Sequence, residues 1–520
     1  MQMMSSETIA PVLIDGTWRP AREVGSFSAT NPATGESLAD VFPISAWADI
    51  DAALDAALSA HAEMRTMDPE GLAIFLRQYA EEIESQRDAL CAVAALETGF
   101  PVSPRLRDVE LPRTTNQLRQ AADMVLDDAW RLPTIDAATN IRSVFESLGP
   151  VAVFGPNNFP FAYNSISGGD FASAIAVGCP VIAKAHPGYP ATSRLLAECA
   201  KTAADATGMP AGIVQMVYGL APEDGLTLVS DPRLGAVAFT GSRAAGLKLK
   251  AAADAVGKPI YLEMSSVNPV VLLPGALDEH FDTVVDELVT SALMGAGQFC
   301  TNPGLVFALR GETTDRLLKK IAERYDEAPC GTLLSENTQA ALKHSIEVLE
   351  TAGARVLSGG GPADREGFAW SNTLLQVNGG QFLGAPEVFQ REAFGNATLV
   401  VVLDDADQWV DAITRCEGSL TGCIYSADDG SEDALYDQIA PALRLRVGRL
   451  LNDKMPTGVA VSPAMQHGGP FPASGHPHFT AVGFPASLRR FTMLASYDNV
   501  RAHRLPTVLQ DTASRDASYA

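Results

Sequence analysis

Short apolar runs alternate with amphipathic stretches between about residue 150 and residue 263. The runs predict five strands, because each is a brief apolar segment bounded by glycine, proline or polar residues. They are Val151–Phe154, Val181–Lys184, Val214–Tyr218, Ala236–Phe239 and Ile260–Glu263. The amphipathic stretches between them have the helical period and predict Gly169–Val177, Pro190–Thr207, Ala221–Val229 and a helix opened by Thr240–Ser242 and ending near Val256. This alternation predicts a parallel α/β sheet with helices on both faces, which binds ligands at the carboxyl ends of its strands.

A second alternating segment extends from Asn268 to about Val447. Its predicted strands are Pro269–Leu273, Leu305–Leu309 and Thr398–Leu403, and its predicted helices are Phe281–Met294, Thr314–Arg324 and Asn337–Thr351. Residues 450–482 are irregular, and Arg489–Leu494 has a strand pattern. The polar tail after Pro506 is expected to be loosely held.

The first 150 residues are mostly helical in pattern. A hairpin is predicted around Asp15 and Gly16, and a strand over Ile141–Leu148. The predicted helices are Ala46–His61 with Ser45 as its cap, Pro69–Gln86, Asp88–Thr98 ending at Gly99, and Pro112–Asp127.

Composition excludes several classes of protein. With 520 residues the chain exceeds a single core, so two or three domains are expected. A net charge of −24 makes nucleic acid and anionic membrane unlikely partners. No membrane-spanning stretch and no signal peptide in Met1–Ala10 are predicted, so the protein is expected in the cytoplasm. The seven cysteines are scattered, form no C-x-x-C pair and do not cluster with the eight histidines, which argues against disulfides and a metal site.

One cysteine stands in a glycine-rich turn. Gly295–Gly304 reads G-A-G-Q-F-C-T-N-P-G and lies between a predicted helix and a predicted strand. Glycines allow positive φ and close approach, so Cys300 is a candidate nucleophile. A small buried core residue is the competing interpretation.

Three polar residues stand where the predicted sheet would bind a ligand. Lys184 ends a strand and could reach a ribose or phosphate, or be an ordinary surface lysine. Glu263 ends another strand and is either a general base or a solvated rim carboxylate. Asn158 follows a strand in a turn; its amide could donate to an oxyanion or simply stabilise the turn.

A glycine turn lies between the fourth strand and the next helix. Gly241, Ser242 and Gly246 could present free N–H groups to a pyrophosphate, or Ser242 could be a plain helix cap. The spacing is neither the usual dinucleotide fingerprint nor a P-loop. Glu392-Ala-Phe394-Gly395 is uninformative by itself.

Together these residues are more specific. Their order and spacing resemble the aldehyde dehydrogenase superfamily from about Val12 to about Asn499. The closest likeness is to the branch with α-ketoglutarate semialdehyde (2,5-dioxopentanoate) dehydrogenases and NADP-linked bacterial aldehyde dehydrogenases. The motifs that carry this likeness are Arg113–Arg119, Phe154–Pro160, Gly168–Asp170, Gly178–Pro187, Gly297–Pro303, Pro456–Val459 and His467–Pro470.

The resemblance implies a three-part architecture. A Rossmann-type NAD(P)-binding domain would comprise residues 1–129 and 149–262, and an α/β catalytic domain residues 263–482. A small β oligomerisation domain would comprise residues 130–148 and 483–505, followed by a tail over 506–520. A homodimer or homotetramer is expected.

The resemblance also implies roles. Cys300 would attack an aldehyde, Asn158 would stabilise the oxyanion, and Glu263 would activate the water that releases a carboxylic acid. The cofactor, NADP or NAD, would be held by Lys184, Gly241, Ser242, Gly246, Glu392 and Phe394.

Several departures from the family pattern bear on specificity. Pro187 stands where many NAD-preferring relatives carry a glutamate, so NADP should be tolerated; Arg243 is a candidate partner for its 2′-phosphate. Asn396 replaces a common proline, and Gly475–Phe479 is unusual and could alter the substrate entrance.

The aldehyde is less well specified than the reaction. Arg113 would face the substrate tunnel and pair with the distal carboxylate of a semialdehyde acid, or be a surface arginine. Phe159, Phe161 and Tyr163 would line the tunnel. The predicted substrate is 2,5-dioxopentanoate; the alternative is a medium or long aliphatic aldehyde. An inactive homologue and a nucleotide-independent thiol hydrolase are the remaining alternatives.

Overall fold

A seven-stranded sheet forms the first half of the molecule, whose computed structural model describes residues 9–510. Its strand order is β12-β11-β7-β8-β9-β1-β2. Five strands of this sheet, β7, β8, β9, β11 and β12, are parallel to one another, whereas β1 pairs antiparallel with both β9 and β2. They are β1 (Val12–Ile14), β2 (Thr17–Arg19), β7 (Val151–Phe154), β8 (Val181–Lys184), β9 (Val214–Val217), β11 (Ala236–Thr240) and β12 (Ile260–Glu263). The predicted parallel sheet is therefore confirmed.

Eight helices belong to this half. They are α1 (Trp47–Met64), α2 (Pro69–Ser85), α3 (Arg87–Thr98), α4 (Leu111–Val125), α5 (Gly169–Ala176), α6 (Pro190–Thr207), α7 (Pro222–Ser230) and α8 (Arg243–Asp254). The predicted cap at Ser45 is wrong: Ser45 ends strand β4, and Ala46 precedes α1 without a side-chain cap. A π-helical segment, Val102–Glu110, leads into α4.

A second seven-stranded sheet has the order β15-β16-β17-β14-β13-β18-β19 and is parallel except for β15. Its members are β13 (Val270–Leu272), β14 (Leu305–Leu309), β15 (Arg355–Ser358), β16 (Thr373–Asn378), β17 (Ala397–Leu403), β18 (Ser419–Tyr425) and β19 (Val447–Asn452). Every residue of β17 and β18 is buried, because helices cover both faces of the sheet.

Those helices are α9 (Pro274–Leu293), α10 (Glu312–Glu327), α11 (Glu336–Thr351), α12 (Gly379–Gly384), α13 (Pro386–Phe389), α14 (Asp407–Thr414) and α15 (Asp433–Arg444). Helix α9 begins well before the predicted Phe281, since Pro274 starts it and it continues through a kink at His280. Successive residues of β13 pack into different cores: Val271 belongs to one, and Val270 and Leu272 to the other.

Two three-stranded sheets complete the fold. One contains β3 (Glu23–Phe27), β4 (Phe42–Ser45) and β10 (Gly219–Leu220); the other contains β5 (Thr134–Asp136), β6 (Ile141–Ser147) and β20 (Thr492–Asp498). The strand predicted over Arg489–Leu494 is displaced, because Ala486–Phe491 forms a 3-10 helix that precedes β20.

The C-terminal residues depart from the predicted loose tail. Leu509 is fully buried, and its carbonyl accepts a hydrogen bond from Arg142, so residues 506–510 pack against β6. The rest of the predicted tail and the N-terminal segment 1–8 lie outside the described residues. The domain boundaries stay a prediction.

No helix in the range 9–510 is long and apolar enough to cross a membrane. The cytoplasmic location stays a prediction.

Candidate active site

The turn that carries Cys300 is held in an unusual backbone conformation. Gly295, Ala296 and Gly297 have φ of 58°, 56° and 69°, a region that strongly favours glycine. A β-carbon on Gly297 would lie 2.1 Å from the carbonyl oxygen of Gly395, so only glycine permits this approach. The turn that carries the half-buried Cys300 thereby packs against the segment containing Glu392 and Phe394.

Side-chain amides fix the turn from both sides. Asn268 Nδ2 donates to the carbonyls of Cys300 and Asn302, each at 2.9 Å. Gln298 Nε2 donates to Gly295 O and Thr332 O at 3.0 Å, and its Oε1 accepts from a backbone N–H. The position of the Cys300 thiol is therefore set before any ligand binds.

Asn158 adjoins the same turn. It is buried, and its Nδ2 donates to the carbonyl of Gln298 at 2.9 Å. An amide nitrogen carries two hydrogens, so a second N–H remains beside Cys300. The structure thus brings together the predicted nucleophile and the predicted oxyanion donor.

Glu263 and a histidine lie on the other side of the thiol. His467 Nε2 is 3.1 Å from Glu263 Oε1 and 3.5 Å from Cys300 Sγ. Both Glu263 and His467 are buried. Because the carboxylate can only accept, we assign the proton of this contact to Nε2. Within residues 9–510, Glu263 Oε2 has no hydrogen-bond partner.

The environment holds the cysteine as a thiol. Burial, and next the Glu263 carboxylate, raise the pKa of the Cys300 thiol well above its ordinary value. The thiol, the imidazole and the carboxylate offer atoms within 4.8 Å of one another. Deprotonation of Cys300 therefore requires a base at this position. The prediction of no metal here stays a prediction.

His467 lies in the motif His467–Pro470, to which the sequence alone assigns no role. The histidines are scattered along the sequence, yet the fold returns residues 467–481 to the end of β12. Glu263 forms a β-bridge with Ser474, and the N–H of Met264 bonds to the carbonyl of Ala473. These long-range contacts bring His467 to Cys300, and no local sequence signal could have shown it.

Arg105 was also missed. It comes from the π-helical segment, and its guanidinium donates to the carbonyl of Asn158 at 3.1 Å and lies 2.7 Å from the buried carboxylate of Glu110. It also lies over the rings of Phe159 and Phe299 at 4.6 and 5.2 Å. Phe159 follows Asn158 and Phe299 precedes Cys300, so one side chain contacts both the oxyanion loop and the nucleophile turn.

Three predicted substrate residues, Phe159, Tyr163 and Arg113, pack against one another. Phe159 and Tyr163 pack edge to face at 5.1 Å. Arg113 lies over the ring of Tyr163, donates to its hydroxyl at 3.2 Å, and donates to Val459 O at 3.4 Å. Phe161, by contrast, is fully buried in the core and does not line a tunnel.

The predicted cofactor residues lie at the carboxyl ends of the first sheet. Lys184 ends β8, where burial lowers its pKa to about 8. Ser242 Oγ accepts from the N–H of Ala245 and caps α8, and Gly241 N–H donates to Glu263 O. Gly246 packs closely against Met264. The capping interpretation of Ser242 is thus confirmed, and the turn lies beside Glu263.

Arg243 is engaged elsewhere. Its guanidinium pairs with Glu417 at 2.8 Å and lies over the ring of Phe471. A carboxylate therefore already neutralises this candidate for the 2′-phosphate.

Glu392 and Phe394 line a cavity with Ser266, Phe299 and Asn302 on the far side of the nucleophile turn. Glu392 accepts a hydrogen bond from the N–H of Ser266 at 3.3 Å, and burial raises its pKa to about 7. Asn396, in place of a common proline, donates to Trp370 O and Asn372 Oδ1 at 2.8 Å each, which anchors this motif to the second sheet.

The unusual segment Gly475–Phe479 packs on the edge of the first sheet. Gly475 N–H donates to Leu262 O, and His476 lies edge to face against Tyr261 at 5.3 Å. Both partners belong to β12. Its role at the substrate entrance stays a prediction.

Comparisons with known proteins agree with this geometry. A sequence profile of the aldehyde dehydrogenase family matches residues 18–470. The chain is 38% identical over 513 residues to alpha-ketoglutaric semialdehyde dehydrogenase 2 of Azospirillum brasilense, covering 96% of each chain. It is 34% identical over 475 residues to alpha-ketoglutaric semialdehyde dehydrogenase of Acinetobacter baylyi, covering 89% of each.

Solved structures show the same fold. A mutant of aldehyde dehydrogenase C from Pseudomonas syringae, in complex with NAD+ and octanal, superposes with a TM-score of 0.80 at 22% identity, covering 96% of this chain and 98% of that one. The expected fold class, family and NAD(P) cofactor are therefore confirmed. The chain belongs to the aldehyde dehydrogenase family and is an NAD(P)-dependent oxidoreductase that acts on aldehydes.

Proposed function

We propose that this enzyme oxidises 2,5-dioxopentanoate to 2-oxoglutarate. The observation that carries the proposal is the buried Nη1 of Arg113, which has no hydrogen-bond partner in residues 9–510. The guanidinium forms no ion pair there either, although it lies on the wall beside Tyr163. An uncompensated buried cation is costly, and a substrate carboxylate would supply the missing charge. The names of the two relatives support the same substrate class.

The first step is deprotonation of Cys300. Glu263 is close enough to accept the thiol proton, and its free Oε2 has no competing partner among the described residues. His467 Nε2–H then stabilises the negative charge, whether that charge lies on the carboxylate or on the sulfur. Burial and Glu263 raise the pKa of Cys300, and the charge of Arg113 acts in the opposite direction and favours the thiolate.

The thiolate then adds to the aldehyde carbon and forms a thiohemiacetal. The developing oxyanion would accept hydrogen bonds from the second N–H of Asn158 and from the backbone N–H of Cys300. Both donors are held in place by the turn before the reaction, which is the arrangement that stabilises a transition state most effectively.

The residues at the sheet ends fit the cofactor. Glu392 is a half-buried carboxylate with an oxygen available to ribose hydroxyls, and Lys184 is a buried amine without an ion pair in residues 9–510. Lys184 would hold the adenosine ribose, Glu392 the nicotinamide ribose with Phe394 beside it, and Gly241 to Gly246 the pyrophosphate. When bound, NAD(P)+ supplies the hydride acceptor.

Glu263 acts again when the thioester on Cys300 is hydrolysed. After releasing the thiol proton to solvent, it accepts a proton from water, the hydroxide adds to the thioester carbon, and the carbon–sulfur bond breaks to release the carboxylic acid. The sulfur regains a proton from Glu263, which returns the site to its starting state. One carboxylate thus serves both half-reactions.

A medium or long aliphatic aldehyde is the second candidate substrate. Phe159, Tyr163 and Phe299 form a continuous aromatic wall, since Phe159 packs on Phe299 at 5.3 Å and on Tyr163 at 5.1 Å. Such a wall would suit an alkyl chain. It does not explain why the buried Nη1 of Arg113 has no hydrogen-bond partner in residues 9–510.

The deciding experiment measures kcat/KM for 2,5-dioxopentanoate, pentanal and decanal, with NAD+ and NADP+ in parallel. We expect 2,5-dioxopentanoate to be the best substrate by at least about tenfold, the effect of one charge-assisted hydrogen bond. Faster turnover of decanal would assign the enzyme to the aliphatic class. No NAD(P)H with any aldehyde would show an inactive homologue.

We also propose a homodimer or homotetramer assembled through β20. This strand is at the edge of its sheet, and Met493 and Leu494 on it are 53% and 52% exposed. An edge strand with apolar side chains is suited to pairing with a second copy. Light scattering should give at least twice the chain mass; a monomer would contradict this.

A further inference from the structure

Three polar side chains, Arg113, Gln117 and Arg449, each have a buried hydrogen-bonding atom without a partner in residues 9–510. We propose that Arg449 and Gln117 join Arg113 to form a binding site for the 2-oxocarboxylate end of the substrate. This inference rests on the proposed function, which it makes more specific. The guanidiniums would bind the carboxylate, and the Gln117 amide would donate to the 2-oxo oxygen.

Arg449 comes from β19, in the second sheet. Its Nη atoms donate to Pro456 O at 2.8 Å and to Gly458 O at 3.2 Å, while its Nε is buried without a partner in the described chain. It forms no ion pair within residues 9–510. Burial lowers the pKa of this guanidinium, in agreement with the absence of a carboxylate partner in that range.

Arg113 and Arg449 approach the same space from two domains. Arg113 binds the carbonyl of Val459, and Arg449 binds those of Pro456 and Gly458, so one short segment contacts both guanidiniums. The charges of both also act on the Tyr163 hydroxyl and on Cys300. Both guanidiniums therefore act near Cys300, and neither forms an ion pair in the described residues.

Gln117 lies one helical turn after Arg113 on the same face of α4. It is 2% exposed, and neither its Oε1 nor its Nε2 has a hydrogen-bond partner in residues 9–510. Its amide lies beside Gly169, next to Gly168, which packs against the backbone of Tyr163. A buried amide without partners is unusual and points to a ligand that completes its hydrogen bonds.

A 2-oxo acid matches this set of groups. Its carboxylate and keto oxygens are all acceptors and match the donors Nη1 of Arg113, Nε of Arg449 and Nε2 of Gln117, whereas the Oε1 of Gln117 needs a separate donor. Pentanal has neither function, whereas 5-oxopentanoate has the carboxylate without the keto group. The three aldehydes therefore separate the contribution of each contact.

The competing interpretation of Arg449 is structural, because its contacts with Pro456 and Gly458 hold the intervening loop. Loss of that loop would slow all three aldehydes alike. Loss of a charge contact would slow only the two acids, so the ratio of kcat/KM for acid to that for pentanal distinguishes the roles.

The test compares Arg449→Gln and Gln117→Leu with the wild-type enzyme on the three aldehydes. Arg449→Gln should lower the acid-to-pentanal ratio by about ten- to a hundredfold for both acids, and Gln117→Leu by about tenfold for 2,5-dioxopentanoate alone. Arg449→Lys should restore part of the ratio, since it keeps the charge. Arg446→Gln, one residue before β19, and the exposed Asn116→Leu, on α4, are matched controls.

The outcomes separate this inference from the proposed function. If the wild-type enzyme favours 2,5-dioxopentanoate but both variants keep its ratio, the inference is wrong and the proposed function stands. An equal loss on all three aldehydes would give Arg449 a structural role only and would also overturn the inference. A wild-type enzyme with no preference for acids over pentanal would overturn both.

Discussion

Replacing Arg105 by methionine tests how the oxyanion loop is held. The change removes the hydrogen bond to Asn158 O and the ion pair with Glu110, while methionine still fills the space between the rings. Glu110 is fully buried, so its carboxylate would be left without a counter-charge. Removing one partner of a buried ion pair costs about 3–5 kcal/mol of stability. Because Arg105 is partly exposed, we expect a loss of stability at the lower end of this range.

The effect on rate has a separate cause. Without Arg105, the backbone carbonyl of Asn158 loses a hydrogen bond that fixes the position of this residue. A displacement of about 1 Å in a catalytic group lowers the rate about a hundredfold. We therefore expect kcat to fall between about tenfold and a hundredfold, with the Kd for NAD(P)H little changed. The assays are steady-state kinetics, thermal unfolding and fluorescence titration of NAD(P)H.

A second variant separates the two effects. Adding Glu110→Gln to Arg105→Met removes the unpaired carboxylate, so part of the stability should return while kcat stays low. Arg107→Met is the matched control, because among the described residues Arg107 forms its ion pair with the exposed Asp88 alone. If Arg105→Met keeps kcat within twofold of wild type, Arg105 does not position Asn158.

Three further predictions concern single groups. Asn158→Ala should lower kcat by about a hundredfold to a thousandfold, as for loss of one oxyanion donor, and a loss under threefold would refute its role. Burial raises the pKa of Glu392 to about 7, so as the pH rises this carboxyl group ionises in the unfolded chain before it ionises in the folded protein. The free energy of unfolding of wild type should therefore fall relative to that of Glu392→Gln as the pH rises from about 4.5 to about 7. A constant difference in unfolding temperature across that range would contradict this. Pro187→Glu should lower kcat/KM for NADP+ at least about tenfold with little change for NAD+, since a carboxylate would repel the 2′-phosphate; equal loss for both cofactors would disprove the argument.

The parts of the site that follow strand ends could be predicted from the sequence. Glu263 ends β12 and Lys184 ends β8, where apolar runs stop at a charged residue. The glycines before Cys300 likewise predict positive φ in its turn, and Gly295 and Gly297 have it. These signals are local, so a pattern within a few residues is sufficient.

His467 and Arg105 depend on contacts that the sequence does not display. His467 reaches Cys300 across 167 residues because an irregular segment folds back on β12. Arg105 acts from a π-helical segment with no recognisable period. The displaced strand near Arg489 has the same origin, since burial of Phe491 in the first core favours a helical turn before β20.

In the proposed reaction, Cys300 carries the substrate as a thioester, and Glu263 activates the water that hydrolyses it. Glu263→Gln also loses the base that deprotonates Cys300, so it should form NAD(P)H slowly from 2,5-dioxopentanoate and NAD(P)+, reach about one NAD(P)H per site, and then stall. Intact-protein mass spectrometry followed by peptide mapping should find the acyl group on Cys300, and no adduct in Cys300→Ala. Continuous turnover by Glu263→Gln, or an acyl group on any other residue, would contradict the account.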